Sequence, residues 1–502
     1  MLSFSCLLSP ASAYAENLVV TQDEYEQFWT DNPSNTRGLI QKRLDEAKRA
    51  TGTITVEVKR GTYELKDALQ IRSNTHLILD DGVVLRRTNL NKGLIYNHGR
   101  TSDNKSWKTA RGYSLTKNIV IEGKGSVLID GGDTSKCGPN DTSDLMRFDH
   151  ADGVTVKGLA FRNVYGGHHV EFVGVKNGTI SNCSFSGFRR LAGHEGDRDY
   201  GREAVQLDSC WADGTEGIKD VTTATGLGEW AGGTYLDGTN CQNCTVSDCR
   251  FANVPSAIGQ HHWTNDSRYK NSSGITIKNN VISGSRSDKM LRYGITVAGM
   301  NNVTVTGNQV TGSFYRGILA YHSQGLKITG NRIDGSYVGV YTQSKVSSAS
   351  VDSNTLKNIG DIGVYVSKDG SLSGVSRNNI SNVKSYGVCV SSGARVSAVA
   401  SNAISSSSYG VVVSGKSAVT TVSSSRIAGA SKAAIYTGGK AKVSTIKSNK
   451  ITKAKKYGVR LTSKTKKTTV SKNSIQVHKK KYGISKAKKV KAKASHNKIR
   501  KW

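Results

Sequence analysis

Acidic residues are missing from the end of this sequence, because no Asp or Glu occurs after Asp369. Proline is also scarce, with four residues against 54 glycines, a composition typical of many turns and few rigid linkers. Beyond the N-terminus, no apolar run approaches the ~20 residues that a membrane-spanning helix requires. We therefore expect no membrane span, and a chain that turns often.

What the sequence does contain is a repeat in its second half. One series consists of asparagines that are interpreted as standing two residues before an aliphatic residue: Asn280, Asn308, Asn331, Asn354, Asn379, Asn402, Asn449, Asn473 and Asn497. Ser425 occupies the position of the missing member. A second series consists of glycines followed by Ile or Val: Gly294, Gly317, Gly339, Gly363, Gly387, Gly410, Gly458 and Gly483.

A fixed period of this size indicates a solenoid, in which single repeats cannot bury a core alone. Each repeat holds short β-branched runs that alternate at period two, such as Val303 to Val305. In parallel coils each asparagine would lie above the previous one, where side-chain amides can form a hydrogen-bonded ladder. The sequence therefore predicts a parallel β-helix.

Segments such as Tyr386-Gly387-Val388 and Ser401-Asn402-Ala403-Ile404 resemble the repeats of the right-handed parallel β-helix, pectin-lyase-like superfamily. The resemblance covers roughly residues 61 to 499. It implies an all-β, single-domain, right-handed parallel β-helix solenoid of a mostly secreted, polysaccharide-active kind. It implies no single activity, because the superfamily includes lyases, hydrolases, epimerases and phage adhesins.

The N-terminus predicts export. Leu2 to Leu8 is mostly apolar and Ala13-Tyr14-Ala15 is a small-x-small cleavage site, so residues 1–15 are interpreted as a signal peptide, with an apolar disordered start as the alternative. No Lys or Arg precedes the apolar run, which leaves the start codon open. We expect a secreted or cell-surface protein.

Residues 16–60 are interpreted as a cap region for the first coil. Asn35 to Ala50 has helical spacing, with Leu39, Ile40, Leu44 and Ala47 on one face. A solenoid exposes its end edges, and an α-helix over the first coil would cover one of them. The β-helix is predicted over residues 61–439, with insertions near 188–240 and 263–273 that are expected to form the walls of a groove.

Cysteines allow several interpretations. Cys183 and Cys249 occupy equivalent places in two repeats and are expected to stack or to bond. Cys210, Cys241 and Cys244 flank the longer insertion and are candidates for a disulfide staple or, alternatively, for a zinc site.

Aligning the glycine-containing strands predicts three columns of outward-pointing side chains, since alternate residues of a strand lie on opposite faces. The first column holds His168, Glu203, Ser256, Tyr293 and Arg316. The second holds Glu171, Gln206, Gly259, Thr296 and Leu319, and the third holds Val173, Asp208, His261, Ala298 and Tyr321. Titratable groups thus gather on one face, beside the coils that carry the insertions.

These columns indicate a carbohydrate-active enzyme that cleaves an acidic polysaccharide, either a glycoside hydrolase or a polysaccharide lyase. Glu171 and Asp208 differ by one coil and two residues, roughly 8 Å, inside the range of an inverting glycosidase. His261 lies roughly 5 Å from Asp208 by the same reasoning, one coil away. A lyase would instead use His261 or Tyr321 as a base and an arginine to neutralise a uronate.

The catalytic candidates are therefore Asp208, His261, Glu171 and Tyr321. The substrate-binding candidates are Glu203, Gln206, His262, Arg316, His322, Tyr293 and His168. The resemblance to polygalacturonase-like hydrolases is confined to Asp208 and to the pair His261-His262 one coil later. The other sequence motifs of those hydrolases are incomplete in this chain. The alternative to an enzyme is a non-catalytic, glycan-binding adhesin.

No structural metal or cofactor is expected, although Glu195, Asp197 and Asp199 would allow calcium on a loop. Residues 440–502 carry 23 Lys and Arg but keep the repeat, so they are interpreted as Lys-rich final coils rather than a disordered tail. In an exported protein the expected partners of these coils are anionic cell-envelope polymers, not nucleic acid.

Overall fold

The computed structural model describes residues 17–35, 37–46, 52–97, 110–139, 141, 144–198, 202–210, 228–229, 235–260, 263, 270–405, 407–463, 467–488 and 490–502. The predicted signal peptide lies outside these residues. The described chain winds into a solenoid of parallel strands with three faces. The third face alone holds 16 strands, so the solenoid makes about 16 turns.

The first face begins near the N-terminus and continues to Lys486. Its strands are Leu69–Ile71, Ile95–Asn97, Met146–Lys157, Val170–Ser181, Glu203–Asp208, Ser256–Gly259, Tyr293–Ala298, Arg316–Tyr321, Val338–Gln343, Ile362–Val366, Tyr386–Val390, Tyr409–Val413, Ala433–Thr437, Tyr457–Leu461 and Tyr482–Lys486.

The second face follows the first in each coil, and the two longest strands bend through both. Its strands are Asn17–Val20, Ile54–Val58, Thr75–Leu79, Thr116–Gly123, Met146–Lys157, Val170–Ser181, Thr245–Ser247, Thr276–Lys278, Thr304–Thr306, Lys327–Thr329, Ala349–Asp352, Ser371–Ser376, Arg395–Ala400, Ala418–Ser423, Lys442–Lys447, Thr468–Ser471 and Ala492–Ser495.

The third face completes each coil. Its strands are Gly61–Leu65, Val83–Arg87, Leu128–Asp130, Ala160–Tyr165, Ser184–Arg189, Arg250–Ala252, Val281–Ser283, Gln309–Thr311, Arg332–Asp334, Thr355–Ile359, Asn379–Val383, Ala403–Ser405, Arg426–Ala428, Lys450–Ala454, Ser474–Val477 and Lys498–Lys501. Two short pairs lie outside the three faces: Gly228–Glu229 with Tyr235–Leu236, and Ser272–Ser273 with Met300–Asn301.

One continuous apolar core runs along the solenoid axis, because every coil turns its aliphatic positions inward. Ile295, Ile318 and Val340 are fully buried and pair directly between neighbouring strands of the first face. The repeating glycine before each of them is required by close approach. A Cβ at Gly317 would lie 2.7 Å from the carbonyl oxygen of Gly339.

The asparagine ladder lies at the turn between the second and third faces. Nδ2 of Asn308 donates to Oδ1 of Asn331 at 3.0 Å, and Asn331 repeats the bond to Asn354. The prediction for the next coil is wrong by one residue. Asn378 carries the ladder to Asn402, whereas Asn379 begins a strand and is exposed. Asn378 is the residue two positions before a buried aliphatic, Ile380, as the pattern requires.

The N-terminal cap is helical, as expected, but it has two helices. Gln22–Asp31 begins with a capping box at Thr21, and Gly38–Glu46 follows. Leu39, Ile40 and Leu44 are buried, and the side chain of Gln41 bonds the backbone of Gln70 in the first face. A 3-10 helix spans Thr134–Lys136. Ala47, at the end of the predicted helix, lies outside the described residues.

The seven cysteines of the described chain are buried and unbonded. Cys183 and Cys249 stack on neighbouring coils at the start of the asparagine ladder, where the backbone N–H of Cys249 donates to Oδ1 of Asn280. The sulfurs of Cys241 and Cys244 contact each other as thiols. The expected disulfide staple is therefore absent among these residues. No described helix is both long enough and apolar enough to span a membrane.

Candidate active site

The strand register on the first face aligns the outward side chains in the predicted columns. Glu203 pairs with Ser256, Ser256 with Tyr293, and Tyr293 with Arg316. In the second column Glu171 pairs with Gln206.

The third column pairs Val173 with Asp208 and, further along, Ala298 with Tyr321. His261 belongs between these pairs, but it lies outside the described residues, as does His262. The structure therefore places nine of the eleven candidate site residues.

A buried ion cluster centred on Arg147 lies at the N-terminal end of these columns. Arg147 donates from Nε to Oδ1 of Asp149 at 2.8 Å and from Nη1 to Oε2 of Glu171 at 2.6 Å. Asp144 Oδ2 lies 3.5 Å from Nη1. Burial alone would lower the pKa of Arg147, but these three carboxylates raise it well above its ordinary value. The guanidinium is therefore permanently charged.

One guanidinium does not neutralise all of these acids. Burial raises the pKa of Glu171 well above its ordinary value. Arg147 opposes the rise, while Asp144 and Asp208 add to it. Removal of a carboxylate from water without a full counter-charge favours the protonated form. Burial and the neighbouring acids thus favour the protonated form of Glu171, and the hydrogen bond from Arg147 favours its charged form.

Asp208 has a different environment from Glu171, one coil further along. Its carboxylate accepts bonds from Nε2 of Gln206 at 2.9 Å and from the backbone N–H of Ser209 at 2.7 Å. Hydrogen bonds donated to a carboxyl group favour its charged form. The two carboxyls that the sequence paired are therefore held differently, Glu171 by a guanidinium and Asp208 by amide donors.

Two neighbouring histidines are buried, and each ring is hydrogen-bonded to a backbone carbonyl oxygen of the solenoid. His168 Nδ1 lies 2.6 Å from the carbonyl oxygen of Glu203, and its backbone N–H donates to Oδ1 of Asp144. Burial lowers the pKa of His168, and burial lowers that of His169 to about 4. Both rings are therefore neutral at pH 7. Glu203 is fully buried between them and the next coil.

The far end of the columns is aromatic. Burial raises the pKa of Tyr321, and the charge of Glu203 adds to the rise. His322 stacks on Trp263 with ring centroids 3.4 Å apart, and burial lowers its pKa to about 4. One face of the Trp263 ring is therefore covered by His322.

Arg316 is held by aromatic rings rather than by acids. Its guanidinium lies 3.7 Å from the ring centroid of Tyr315 and 4.9 Å from that of Tyr341. Tyr293 lies in the same column, with the guanidinium of Arg292 4.9 Å from its ring centroid. The positive charge of Arg316 therefore lies beside the acidic coils, and none of the described acids forms an ion pair with it.

Described parts of the insertion near 188–240 lie along both edges of the first face. At the edge shared with the third face, Arg198 and Arg190 donate to the carbonyl oxygens of Lys289 and Met290. At the opposite edge, Tyr113 Oη donates to the carbonyl oxygen of Asn240 at 2.9 Å. The described parts of both insertions therefore contact neighbouring coils.

Several sequence-predicted features fall outside the described residues. These are Asp199 of the possible calcium loop, Trp211, Trp230 and most of the stretch 211–234. Glu195, the first acid of that loop, is exposed.

A different set of metal-type donors does converge in the structure. His150, Cys210 and Asp237 bring one donor atom each to within 4.8 Å of one another. Nδ1 of His150, however, lies 2.7 Å from the carbonyl oxygen of Gly112, and burial raises the pKa of the Cys210 thiol. A hydrogen-bonded imidazole and a protonated thiol are poor ligands, so we assign the trio to packing.

The sequence alignment missed Asp144, Arg147 and Asp149. Their coil lacks the repeating glycine on which the alignment was built. A signal was present, because Phe148 precedes Phe172 by one period and the two are paired in the first face. Aligning these phenylalanines would have placed Arg147 beside Glu171.

Comparison with known families agrees with the geometry. A family model described as a right handed beta helix region matches residues 268–427. The chain has the right-handed parallel β-helix fold. A second model, described as periplasmic copper-binding protein (NosD), matches residues 373–500 of this β-helix protein.

The β-helix chain is also similar to individual proteins. It is 23% identical over 292 residues to "Plasmin and fibronectin-binding protein A" of Streptococcus pneumoniae, covering 56% of this chain and 37% of that protein. The chain thus spans little more than a third of its curated relative.

Two solved structures are similar in shape. The surface adhesin PfbA of Streptococcus pneumoniae has a TM-score of 0.49 at 17% identity, over 84% of this chain and 86% of that chain. The catalytic unit of a GH87 alpha-1,3-glucanase from Streptomyces thermodiastaticus has a TM-score of 0.49 at 13% identity, over 86% and 68%.

Proposed function

We propose that this β-helix protein is an extracellular enzyme that hydrolyses an acidic polysaccharide on its first face. The observation that carries the proposal is the pair of carboxyl groups on adjacent coils: burial raises the pKa of Glu171, whereas Asp208 accepts hydrogen bonds from Gln206 and Ser209. Opposite protonation of two neighbouring carboxyls is how glycosidases assign an acid and a base.

In this mechanism Glu171 donates its proton to the leaving glycosidic oxygen, and Asp208 takes a proton from the attacking water. The register separates the two backbone positions by one coil and two residues, or roughly 8 Å, which leaves room for that water and predicts inversion at the anomeric carbon. His261 is proposed to orient Asp208, and Glu203 and Gln206 are proposed to support it from the floor of the site.

Hydrolysis is favoured over elimination by the state of Tyr321. A lyase needs a base that removes a proton, and burial keeps the phenol of Tyr321 protonated. Arg316 would then bind a substrate carboxylate rather than stabilise a carbanion. Of the remaining candidates, His262 and Tyr293 are proposed to lie around the same chain of sugars, and the buried ring of His168 and the stacked ring of His322 are proposed to position the residues that they contact.

The site is tested with two isosteric variants, Glu171→Gln and Asp208→Asn. We expect each to lower kcat by about 100-fold or more, since general acid and base each contribute 10²–10⁴. The measurement is the release of reducing ends from a panel of uronate-containing and neutral polysaccharides, with absorbance in the ultraviolet recorded in parallel. Ultraviolet-absorbing products from the parent protein would show a lyase and refute this assignment.

The pH profile gives a second test. Because Glu171 must carry its proton, kcat/KM should fall as pH rises through its raised pKa, and Glu171→Gln should remove that limb. Asp248→Asn is the matched control, because Asp248 is exposed at a turn where other coils carry asparagine. A parent-like profile in Glu171→Gln would remove Glu171 from the mechanism.

A second candidate function is a non-catalytic surface adhesin. It is favoured by the similarity to a protein named for plasmin and fibronectin binding, although the chain spans only 37% of that relative. Absence of turnover across the panel, together with polysaccharide binding that survives Glu171→Gln and Asp208→Asn, would decide for the adhesin.

Both functions place the protein outside the cell, with residues 1–15 as its export signal. The relatives carry surface or periplasmic names, which agrees with this location. We further propose that the insertions near 188–240 and 263–273 wall a groove over the first face. The final coils, residues 440–502, would hold anionic cell-envelope polymers through their lysines.

A further inference from the structure

An outward-facing stripe of tyrosines continues the first face far beyond the acidic coils. Its members are half-buried or exposed, except for the more deeply buried Tyr341: Tyr341, Tyr365, Tyr386, Tyr409, Tyr436, Tyr457 and Tyr482. We name this set the tyrosine track. Together with Leu319, Val338 and Val412 its first members form an apolar cluster separate from the main core.

Neighbouring rings of the track contact one another in three groups: Tyr341 with Tyr365, Tyr386 with Tyr409 and Tyr436, and Tyr457 with Tyr482. Tyr341 and Tyr365 stack with centroids 4.6 Å apart and planes at 6°. The first column of the track holds Tyr386, Tyr409, Tyr457 and Tyr482, and the second column holds Tyr341, Tyr365 and Tyr436. Tyr409 lies 5.5 Å from Tyr386 and 5.6 Å from Tyr436, so it connects the two columns.

Hydroxyl pairs fix the ring orientations of the second column. Tyr341 Oη lies 2.9 Å from Ser367 Oγ on the next coil, and Tyr365 Oη lies 3.0 Å from Ser391 Oγ. Further along, Thr462 donates to Oη of Tyr436 at 3.1 Å.

Aromatic side chains are concentrated on this face of the solenoid. On the same coils the outward positions of the second face hold residues such as Arg395 and Lys442, and those of the third face hold residues such as Lys357 and Lys450. Solvated β-helix coils do not require an apolar stripe, and an exposed apolar stripe with a polar border marks a binding surface.

Lysine and arginine side chains lie beside the tyrosine track, and acidic residues are absent from most of its length. Lys432 lies over the ring of Tyr409 at 5.7 Å, and Arg460 lies over that of Tyr457 at 5.0 Å. Lys456 is a second cation over Tyr457 at 5.6 Å. Residues 370–502 contain no Asp or Glu, and the negative charge of Asp361 acts on Tyr386 only near the start of the track.

We propose that the tyrosine track is a binding site for one extended anionic polysaccharide chain lying parallel to the solenoid axis. Coils repeat about every 4.8 Å, close to the advance of one sugar unit in an extended chain, so successive rings can each stack on a sugar. Lysine and arginine at the border bind the carboxylate or sulfate groups. This site is separate from the acid cluster at Glu171 and requires no cleavage.

The experiment measures binding of the full chain to sodium polygalacturonate, hyaluronate and dextran sulfate at 150 mM NaCl, with neutral dextran for comparison. We expect Tyr386→Ala/Tyr409→Ala to weaken binding by about tenfold or more, as expected for two lost ring contacts. Tyr386→Phe/Tyr409→Phe keeps the rings and should bind within about twofold of the parent. Thermal melting confirms that each variant is folded.

A charge-matched pair separates the track from general attraction. Lys456→Gln/Arg460→Gln removes two charges at the track, while Lys447→Gln/Lys450→Gln removes two exposed charges on the second and third faces of the preceding coil. We expect the first pair to weaken binding several-fold more than the second.

Three outcomes would overturn the proposed binding site. They are equal losses of affinity in the two charge-matched pairs, parent-like binding by the folded Tyr386→Ala/Tyr409→Ala variant, and no binding to any anionic probe. Equal binding of dextran, or tighter binding of single-stranded DNA, would replace the proposed ligand class. Release of reducing ends is measured on the same variants, so that loss of the track and loss of the hydrolase assignment are recognised separately.

Discussion

Each ladder asparagine bonds the coils on both sides of it. Asn378 donates from Nδ2 to the carbonyl oxygen of Val351 and to Oδ1 of Asn402, and its own Oδ1 accepts from the backbone and side-chain N–H groups of Asn354. The residue before it, Arg377, has a φ of 54°, the left-handed turn that directs the amide inward. The ladder thus satisfies buried backbone groups that no strand can reach.

Replacing Asn378 by alanine should destabilise the solenoid by about 1–3 kcal/mol, because it leaves buried partners in both neighbouring coils unsatisfied. Asn379→Ala is the adjacent control and should stay within about 0.5 kcal/mol, since its side chain is exposed. Urea midpoints of the two variants test the difference. Equal destabilisation would contradict the ladder assignment.

The N-terminal helices stabilise the solenoid by covering the exposed edge of its first coil. Gly38–Glu46 packs on the first turns, where Leu44 is fully buried and Asp45 pairs with Arg72. Without such a cover the first coil would present unpaired strand edges and open core to water. The cap is therefore an energetic part of the solenoid and not an appendage.

Leu44→Ala should cost about 2–5 kcal/mol, the range for a fully buried leucine, and should loosen the first coils before the rest. Lys42→Ala on the same helix is the control, because Lys42 is exposed. Hydrogen exchange followed by mass spectrometry locates the effect. Uniform loss of protection along the whole solenoid would show that the cap has no local role.

At the scale of the whole molecule, charge divides the solenoid lengthwise. The first 369 residues carry 41 basic and 38 acidic side chains, whereas residues 440–502 carry 23 basic side chains and no acid. The strands and the asparagine ladder continue through this basic end, which presents lysines on all three faces. A rigid, positively charged rod end attracts polyanions over a distance set by the ionic strength.

Binding of the full chain to dextran sulfate should therefore weaken steeply between 20 and 500 mM NaCl, over which the screening length falls to roughly 5 Å or less. A variant with four exposed lysines of the second and third faces changed to glutamine should show a shallower salt dependence and the parent melting temperature. Its substitutions are Lys447→Gln, Lys450→Gln, Lys472→Gln and Lys493→Gln. An unchanged slope would remove the basic end from polymer attachment.

The amino-acid sequence by itself determined the solenoid. The period of about 24 residues, the alternation within strands and the repeated glycine each express a local requirement, so they predicted the parallel coils and the outward columns of Glu171, Glu203 and Asp208. The capping helix was predicted too, because its apolar spacing is also local.

Tertiary structure decided which member of a local pair is used and how it is charged. Asn378 and Asn379 are adjacent residues of the same type, and the stacking of coils buries the amide of Asn378 and exposes that of Asn379. Arg147 joins Glu171 through a coil that lacks the repeat signature, and the protonation of Glu171 depends on burial among acids from three coils. Such effects arise from contacts between residues about 24 or more apart, where sequence pattern carries no information about solvent or charge.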